Sequence, residues 1–252
     1  KYGFRDYRGG GRSSGRETIG RVAAGAIAVK MLSSLGVSFL TYTKSIGCIE
    51  IAPENFKVDE IDNNPLYMPD AAAAKKAGIY LEECIKNQNS SGGVCECIIT
   101  GLPVGLGDPV FEKIDANLAK AIMSIGAVKG FEIGDGFEAA KATGLTNNDA
   151  FIIEDGIVKK ATNHSGGTLG GMTDGSPLIL RAAIKPTPSI ASAQHTVNKS
   201  GENIDISIKG RHDPIIVPRA VVVVESMAAI TIADALLINM ASRMDKIIDF
   251  YK

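Results

Sequence analysis

The sequence predicts a mixed fold of helices and strands, α+β or α/β. Three observations lead there. Apolar residues recur at helical spacing in several stretches, short runs rich in β-branched residues lie between them, and the two kinds of segment intermix along all 252 residues. At 45% hydrophobic residues the chain can bury a substantial core, as one large domain or two small ones. No internal repeat and no linker interrupts it.

The first helix is expected to start at Ser14. Ser14 and Glu17 stand at capping-box spacing, each side chain able to reach the other's amide. Val22, Ala23, Ala26, Ile27, Met31 and Leu35 follow at helical spacing as its buried face, and Gly36 is placed to end it. Residues 37–43 and 46–51 read as two strands of one sheet. Asp70 caps a helix that runs to about Asn87 and buries Ala74, Ala77, Leu81 and Ile85, until Ser90-Ser91-Gly92-Gly93 breaks the pattern. A strand at 94–100 follows. Gly101 to Gly107 has no phosphate-loop lysine and reads as turn geometry. Asp108-Pro109 opens a third helix with Phe111, Ile114, Leu118, Ile122 and Ile125 inward and Gly126 as its stop. A strand at 127–133, a short helical piece after Gly134-Asp135-Gly136 and a hairpin turning at Asp155-Gly156 come next. Residues 163–171 form a long glycine-rich loop, suited to backbone approach to a ligand or to a plain surface connection. Strands are expected near 178–184 and 204–208. From Pro218 a last helix turns Met227, Ile230, Ala233, Leu236 and Leu237 inward.

A formal charge of −1 lacks the broad basic footprint of a nucleic-acid binder. Arg219, Glu225 and Asp234 interrupt the apolar region 215–240, which argues against a membrane span and for a soluble protein. Cys48, Cys84, Cys95 and Cys97 have no zinc spacing and read as reduced core residues, with Cys95 and Cys97 on one side of a strand; a cytoplasmic location fits them. No metal site is expected.

Chemistry concentrates in three places. Gly9-Gly10-Gly11-Arg12-Ser13-Ser14-Gly15-Arg16-Glu17-Thr18 puts glycines, a helix start and arginines together, with Arg5, Arg8 and Arg21 nearby. Helix-terminal amides and guanidinium forks suit a ligand with more than one negative charge. Lys185-Pro186-Thr187-Pro188-Ser189 is a rigid polar corner that could offer donors to a phosphate or a flavin ring. Gly210-Arg211-His212-Asp213-Pro214 sets a cation, an imidazole and a carboxylate in succession; on an extended segment Arg211 and Asp213 would share one face. His164 and His195 read as structural or surface histidines.

Four segments, 12–28, 108–137, 163–189 and 211–227, together resemble the chorismate synthase family. Arg12-Ser13-Ser14-Gly15-Arg16-Glu17-Thr18 and Arg211-His212-Asp213-Pro214 are similar to two of its signature patterns. The resemblance implies an α+β sandwich with helices packed between two antiparallel sheets, here as a single catalytic domain over 1–252, and a homotetramer. It implies a lyase of the shikimate pathway that uses reduced FMN to eliminate phosphate from 5-enolpyruvylshikimate 3-phosphate, giving chorismate. NADP belongs to the same family context, as does an external flavin reductase for members that do not reduce their own flavin. Carried over residue by residue, Arg12, Ser13, Ser14, Gly126, Ala127, Gly170, Lys185, Pro186, Thr187, Pro188, Ser189 and Arg211 match flavin-binding positions. Arg16 and Arg211 match substrate contacts, and Asp213 and Ser14 match catalytic positions, with Asp213 tuned by burial and its arginine neighbour. The competing readings are another phosphate-ligand or nucleotide-dependent oxidoreductase, for which the dinucleotide fingerprint is missing, and a non-catalytic anion-binding module.

The chain opens with Lys1, and the family's two catalytic histidines belong to motifs that precede the position matched by Lys1; His164, His195 and His212 do not replace them. A 252-residue polypeptide is therefore expected to be inactive. Assay of a preparation whose intact mass equals 26.4 kDa checks this, and full chorismate-forming activity would refute it.

Overall fold

The computed structural model describes all residues except Arg5, Tyr7, Lys209 and Arg211. After two short 3-10 turns the chain forms α1 (Thr18–Ser33), then β1 (Ser38–Ile46), β2 (Ile49–Glu50), α2 (Glu60–Asn63), α3 (Ala71–Lys86) and β3 (Gly93–Thr100). Next come α4 (Ile114–Met123), β4 (Val128–Ile133), the hairpin of β5 (Phe151–Glu154) and β6 (Ile157–Lys160), and the small ladder of β7 (Thr168–Leu169) and β8 (Met172–Thr173). The chain closes with β9 (Leu178–Ile184), β10 (Gln194–Val197), β11 (Asn203–Ile206), α5 (Val217–Met240) and α6 (Met244–Tyr251). A five-stranded sheet has the order β2-β1-β3-β9-β4, and β5-β6, β7-β8 and β10-β11 are antiparallel pairs. Helices mix with antiparallel strands, so the fold is α+β. Expected as one domain, the chain falls by its contacts into two compact units. The first comprises Lys1–Leu40, Cys97–Leu180 and Val222–Lys252, and the second Thr41–Glu96 and Arg181–Val221.

In the first unit α1 packs on α5. A Cβ at Gly25 would lie 2.2 Å from Ser226 Cβ, so only hydrogen fits between these backbones. The buried face of α1 is Gly25, Ala28 and Leu32 rather than the expected stripe of Val22, Ala23, Ala26, Ile27, Met31 and Leu35; Ile27 and Leu35 point to solvent. Gly36, at φ +82°, ends the helix as expected, with Val37 N donating to Leu32 O. α4 begins later than the Asp108-Pro109 signal. Ile114, Leu118, Ile122 and Ile125 are buried, but Phe111 lies outside the helix and is exposed, because residues up to Lys113 are held in turns, with Asp108 N bonded to Glu112 O. The residue with left-handed φ after α4 is Ala127 (+73°), not Gly126. On α5 the buried residues include Val223, Val224, Ala228, Ala229 and Ile232, and Leu237 is exposed where burial was expected. By length and composition α5 could cross a bilayer, and 44% of its apolar window is buried inside the protein.

In the second unit β1 and β2 form a hairpin through Gly47-Cys48, registered Ile46 to Ile49. Cys48 is thus an exposed turn residue, contrary to the core role expected of it, whereas Cys84, Cys95 and Cys97 are buried. Asp70 caps α3 as expected: one carboxylate oxygen accepts from Ala72 N (2.9 Å) and Ala73 N (3.0 Å), and the other from Ala52 N (3.1 Å). Ala74, Ala77 and Leu81 are buried below it, with Cys84 in the place expected for Ile85, which is exposed. Glu96 is buried on β3 and accepts from Tyr42 Oη, from Lys44 Nζ at 3.1 Å and from Arg181 at 3.3 Å, a satisfied carboxylate inside the sheet.

Gly25→Ala gains about 1 kcal/mol of helix propensity. It is nevertheless expected to destabilise by roughly 1–3 kcal/mol through overpacking. Urea unfolding checks this, and adding Ser226→Gly should restore part of the loss.

Candidate functional site

The opening motif is built from 3-10 turns at Gly11–Ser13 and Gly15–Glu17 that lead into α1. Ser14 caps the second turn, its Oγ accepting from Arg16 N at 3.3 Å. The expected capping box does not form. A 3-10 turn brings the second amide over the hydroxyl rather than the third, Glu17 N bonds to Ser14 O, and the Glu17 carboxylate turns forward to Arg21 at 3.0 Å. Arg21 also donates to Ser124 Oγ (2.6 Å) and Ser124 O (3.1 Å), capping the end of α4 and tying it to α1 just before Gly126 and Ala127. Of the arginine cluster, Arg8 pairs with Asp6 at 2.9 Å and Arg21 is engaged as described. Arg12 and Arg16 are exposed and make no ion pair among the described residues, while Arg5 lies outside them. Ser13 Oγ donates to Gly10 O at 2.6 Å and fixes the loop locally. The result is an exposed, cation-bearing turn at a helix start.

Gly170 is the exposed turn of the β7-β8 ladder, at φ +62°. The loop before it is folded on itself rather than held open. Gly134 and Gly166 meet backbone to backbone, a Cβ on Gly166 falling 2.2 Å from Gly134 N. Asp149 gathers the loop: its carboxylate accepts from His164 N (2.8 Å), Ser165 N (3.0 Å), Thr162 Oγ1 (2.7 Å) and Ser165 Oγ. Burial works to raise the Asp149 pKa, but the Ser165, Thr162 and His164 hydrogen bonds outweigh it and hold the carboxyl well below its ordinary value. Lys160, also buried, pairs with Asp174. His164 Nδ1 meets Asp135 at 2.7 Å and exposed His195 pairs with Asp205 across β10-β11, so both act as the structural or surface histidines expected.

In the second unit the 185–189 corner and the 212–214 turn come together. Ser189 Oγ lies 3.3 Å from His212 Nδ1, and His212 Nε2 is 2.8 Å from Ile208 O. Since a carbonyl only accepts, Nε2 is the donor in the bond to Ile208 O. Asp213, with its side chain 31% exposed, receives a two-pronged pair from Arg219 at 2.7 and 3.1 Å. Arg219, near the start of α5, is thus a guanidinium partner of Asp213; Arg211, the arginine neighbour expected to tune it, lies outside the described residues. Lys185, Pro186 and Pro188 are exposed, and Thr187 Oγ1 is buried with no hydrogen-bond partner.

Arg12, Ser13, Ser14, Arg16, Gly126, Ala127 and Gly170 thus belong to the first unit, and 185–189 with Asp213 to the second. Sequence reasoning missed Arg219, whose spacing from Asp213 was a usable signal once a helix start at 217 was accepted. It also missed Ser90 and Ser91, read only as a helix breaker. A groove of about 610 Å³ between α4 and α5 contains none of the expected site residues.

A family model described as chorismate synthase matches residues 1–237. Chorismate synthase of Agathobacter rectalis is 84% identical over 252 residues, covering 100% of this chain and 69% of the relative. That of Lachnoclostridium phytofermentans is 65% identical over 253 residues, with coverage of 100% and 69%, and that of Methanococcoides burtonii 51% over 237, with 93% and 65%. A crystal structure of chorismate synthase superposes with a TM-score of 0.76 at 32% identity, covering 94% of this chain and 68% of that one.

The Asp149 carboxylate, with its lowered pKa, contributes stability that is present above the unfolded value of about 4 and lost as pH falls through the folded one. Asp149→Ala should cost roughly 2–4 kcal/mol at neutral pH through loss of several charge-assisted hydrogen bonds. Its unfolding free energy should fall less steeply than the parent's between pH 5 and 3, on the scale of about one titrating group. Chemical denaturation across that range measures both.

Proposed function

The chain belongs to the chorismate synthase family of carbon–oxygen lyases, and from that premise we propose that its site takes 5-enolpyruvylshikimate 3-phosphate, eliminates phosphate in an anti-1,4 sense and forms chorismate with reduced FMN as cofactor. The observation that carries the reading is the Arg12 to Thr18 signature presented on a helix-terminal turn, with Arg12 and Arg16 exposed and unpaired among the described residues. A substrate with one phosphate and two carboxylates calls for such cations.

The residues fit a flavin phosphate and ring. Thr187 Oγ1 is a buried hydroxyl still lacking a partner, in a corner that also carries the exposed Lys185 amine. Arg12, Ser13 and Ser14, with Gly126, Ala127, Gly170, residues 185–189 and Arg211, would hold the cofactor, and Arg16 and Arg211 the substrate. Reduced FMN, when bound, lends electron density to the elimination and recovers it. The chain's own residues do the rest: the arginines orient the anionic substrate and stabilise departing phosphate, and the helix-start amides add to that field. Asp213 offers a carboxylate oxygen to take up and release a proton, while Arg219 holds it in one orientation. Ser14, the other position matched to catalysis, presents a fixed hydroxyl in the cap of a tight turn.

The reading extends to a homotetramer, for which the exposed Phe151, Ile153 and Val158 of the β5-β6 hairpin offer apolar surface, and to a cytoplasmic setting consistent with four free cysteines.

In a catalytically active, full-length form, Asp213→Ala should lower kcat for chorismate formation by roughly a hundredfold or more. Unchanged formation would remove Asp213 from the chemistry, and nicotinamide oxidation without chorismate would favour a nucleotide-dependent oxidoreductase instead.

A further inference from the structure

We propose that Ser90-Ser91-Gly92 is a positioning element of the cofactor site, a clamp that sets the 185–189 corner against the 212–214 turn. The inference rests on the flavin reading above. Each member of the segment makes a contact on, or immediately beside, one of those two stretches. Ser90 Oγ donates to Thr187 O at 2.7 Å. Ser91 N donates to Pro214 O at 2.8 Å. Gly92 lies so close to the corner that a Cβ there would fall 2.4 Å from Ile184 O and 3.1 Å from Pro186 Cδ.

Ser90 and Ser91 are both buried, at 9% and 3% exposure, and neither has a part in the chemistry. A buried hydroxyl bonded to a loop carbonyl fixes that carbonyl at little cost, since both groups are satisfied. Thr187 carries a side-chain hydroxyl that is buried without a partner among the described residues, as do Thr41 and Thr43 on β1, so holding its backbone also holds that hydroxyl in place. The direct link from Ser189 to His212, anchored in turn on Ile208 O, closes the arrangement from the other side. His212 thereby acts as a positioning residue in its Nε2-protonated form.

The test compares the full-length parent with Ser90→Ala, Ser90→Thr and Gly92→Ala by FMN titration, thermal midpoint and amide exchange across 185–189 and 212–214. Ser90→Ala should weaken FMN binding roughly three- to tenfold, as expected for one lost hydrogen bond, and speed exchange in the corner with little change in midpoint. Ser90→Thr, which keeps the hydroxyl, should restore parental affinity, and Gly92→Ala should weaken binding at least as much as Ser90→Ala. Variants that bind FMN like the parent would overturn the clamp and leave the flavin reading intact. Loss of affinity that Thr does not restore, in step with a fall in midpoint, would also overturn it by reducing the segment to a structural role. A parent that binds no FMN would overturn the flavin reading itself, and with it the positioning role.

Discussion

The approach of α1 to α5 at Gly25 and Ser226 is the constraint on which the first unit depends. Two helical backbones that close leave room for little more than hydrogen and a hydroxymethyl group, and Ala28 on α1 and Ala228 and Ala229 on α5 are buried as well. Dispersion across such a seam grows with the number of atoms in contact, so small side chains here give tight packing rather than weak packing. The opening turn inherits its position from this seam, because it is the direct N-terminal continuation of α1, and the Arg21 bridge carries that position on to Ser124 and the Ala127 turn.

Elsewhere the structure is organised by buried polar groups that must be matched. Asp70, Glu96 and Asp149 each collect several donors, and each does so where chain segments far apart in sequence have to be joined: a helix start to a loop, one strand to two neighbours, a glycine-rich loop to its flank. An ion or hydroxyl left alone in such places would cost more than most single apolar contacts contribute. Thr41, Thr43 and Thr187 have buried hydroxyls without a partner among the described residues, and of these Thr187 lies in the polar corner, where an unpartnered donor has a chemical sense.

Much of the fold was legible. Asp70 as a cap, Gly36 as a stop, the Asp155-Gly156 hairpin and the long last helix all rest on local rules in which a residue acts on neighbours within four positions, and those rules held. The failures share a cause. Ile85, Ile27 and Leu237 are apolar and well spaced, yet exposed, because periodicity names a face without saying how much of it a neighbour covers, and Phe111 is exposed because the helix starts after it. The Ser14 and Glu17 pairing failed for a related reason: Arg21 offered the carboxylate a charged partner one turn on, and the chain took a tighter turn.

For the site, the sequence by itself determined which residue types are present, their order and the family that order belongs to. It determined the local devices too, since caps, turns and helix starts are decided by a few adjacent side chains. What only the tertiary structure decided is partnership: Arg219 for Asp213, Ser189 for His212, Ser90 and Ser91 for the corner and the late turn, and Gly25 against Ser226. These are contacts between groups whose separation along the chain carries no information about their separation in space. Hydrogen bonds and packing act over a few ångströms, so they become readable only once the chain has been folded.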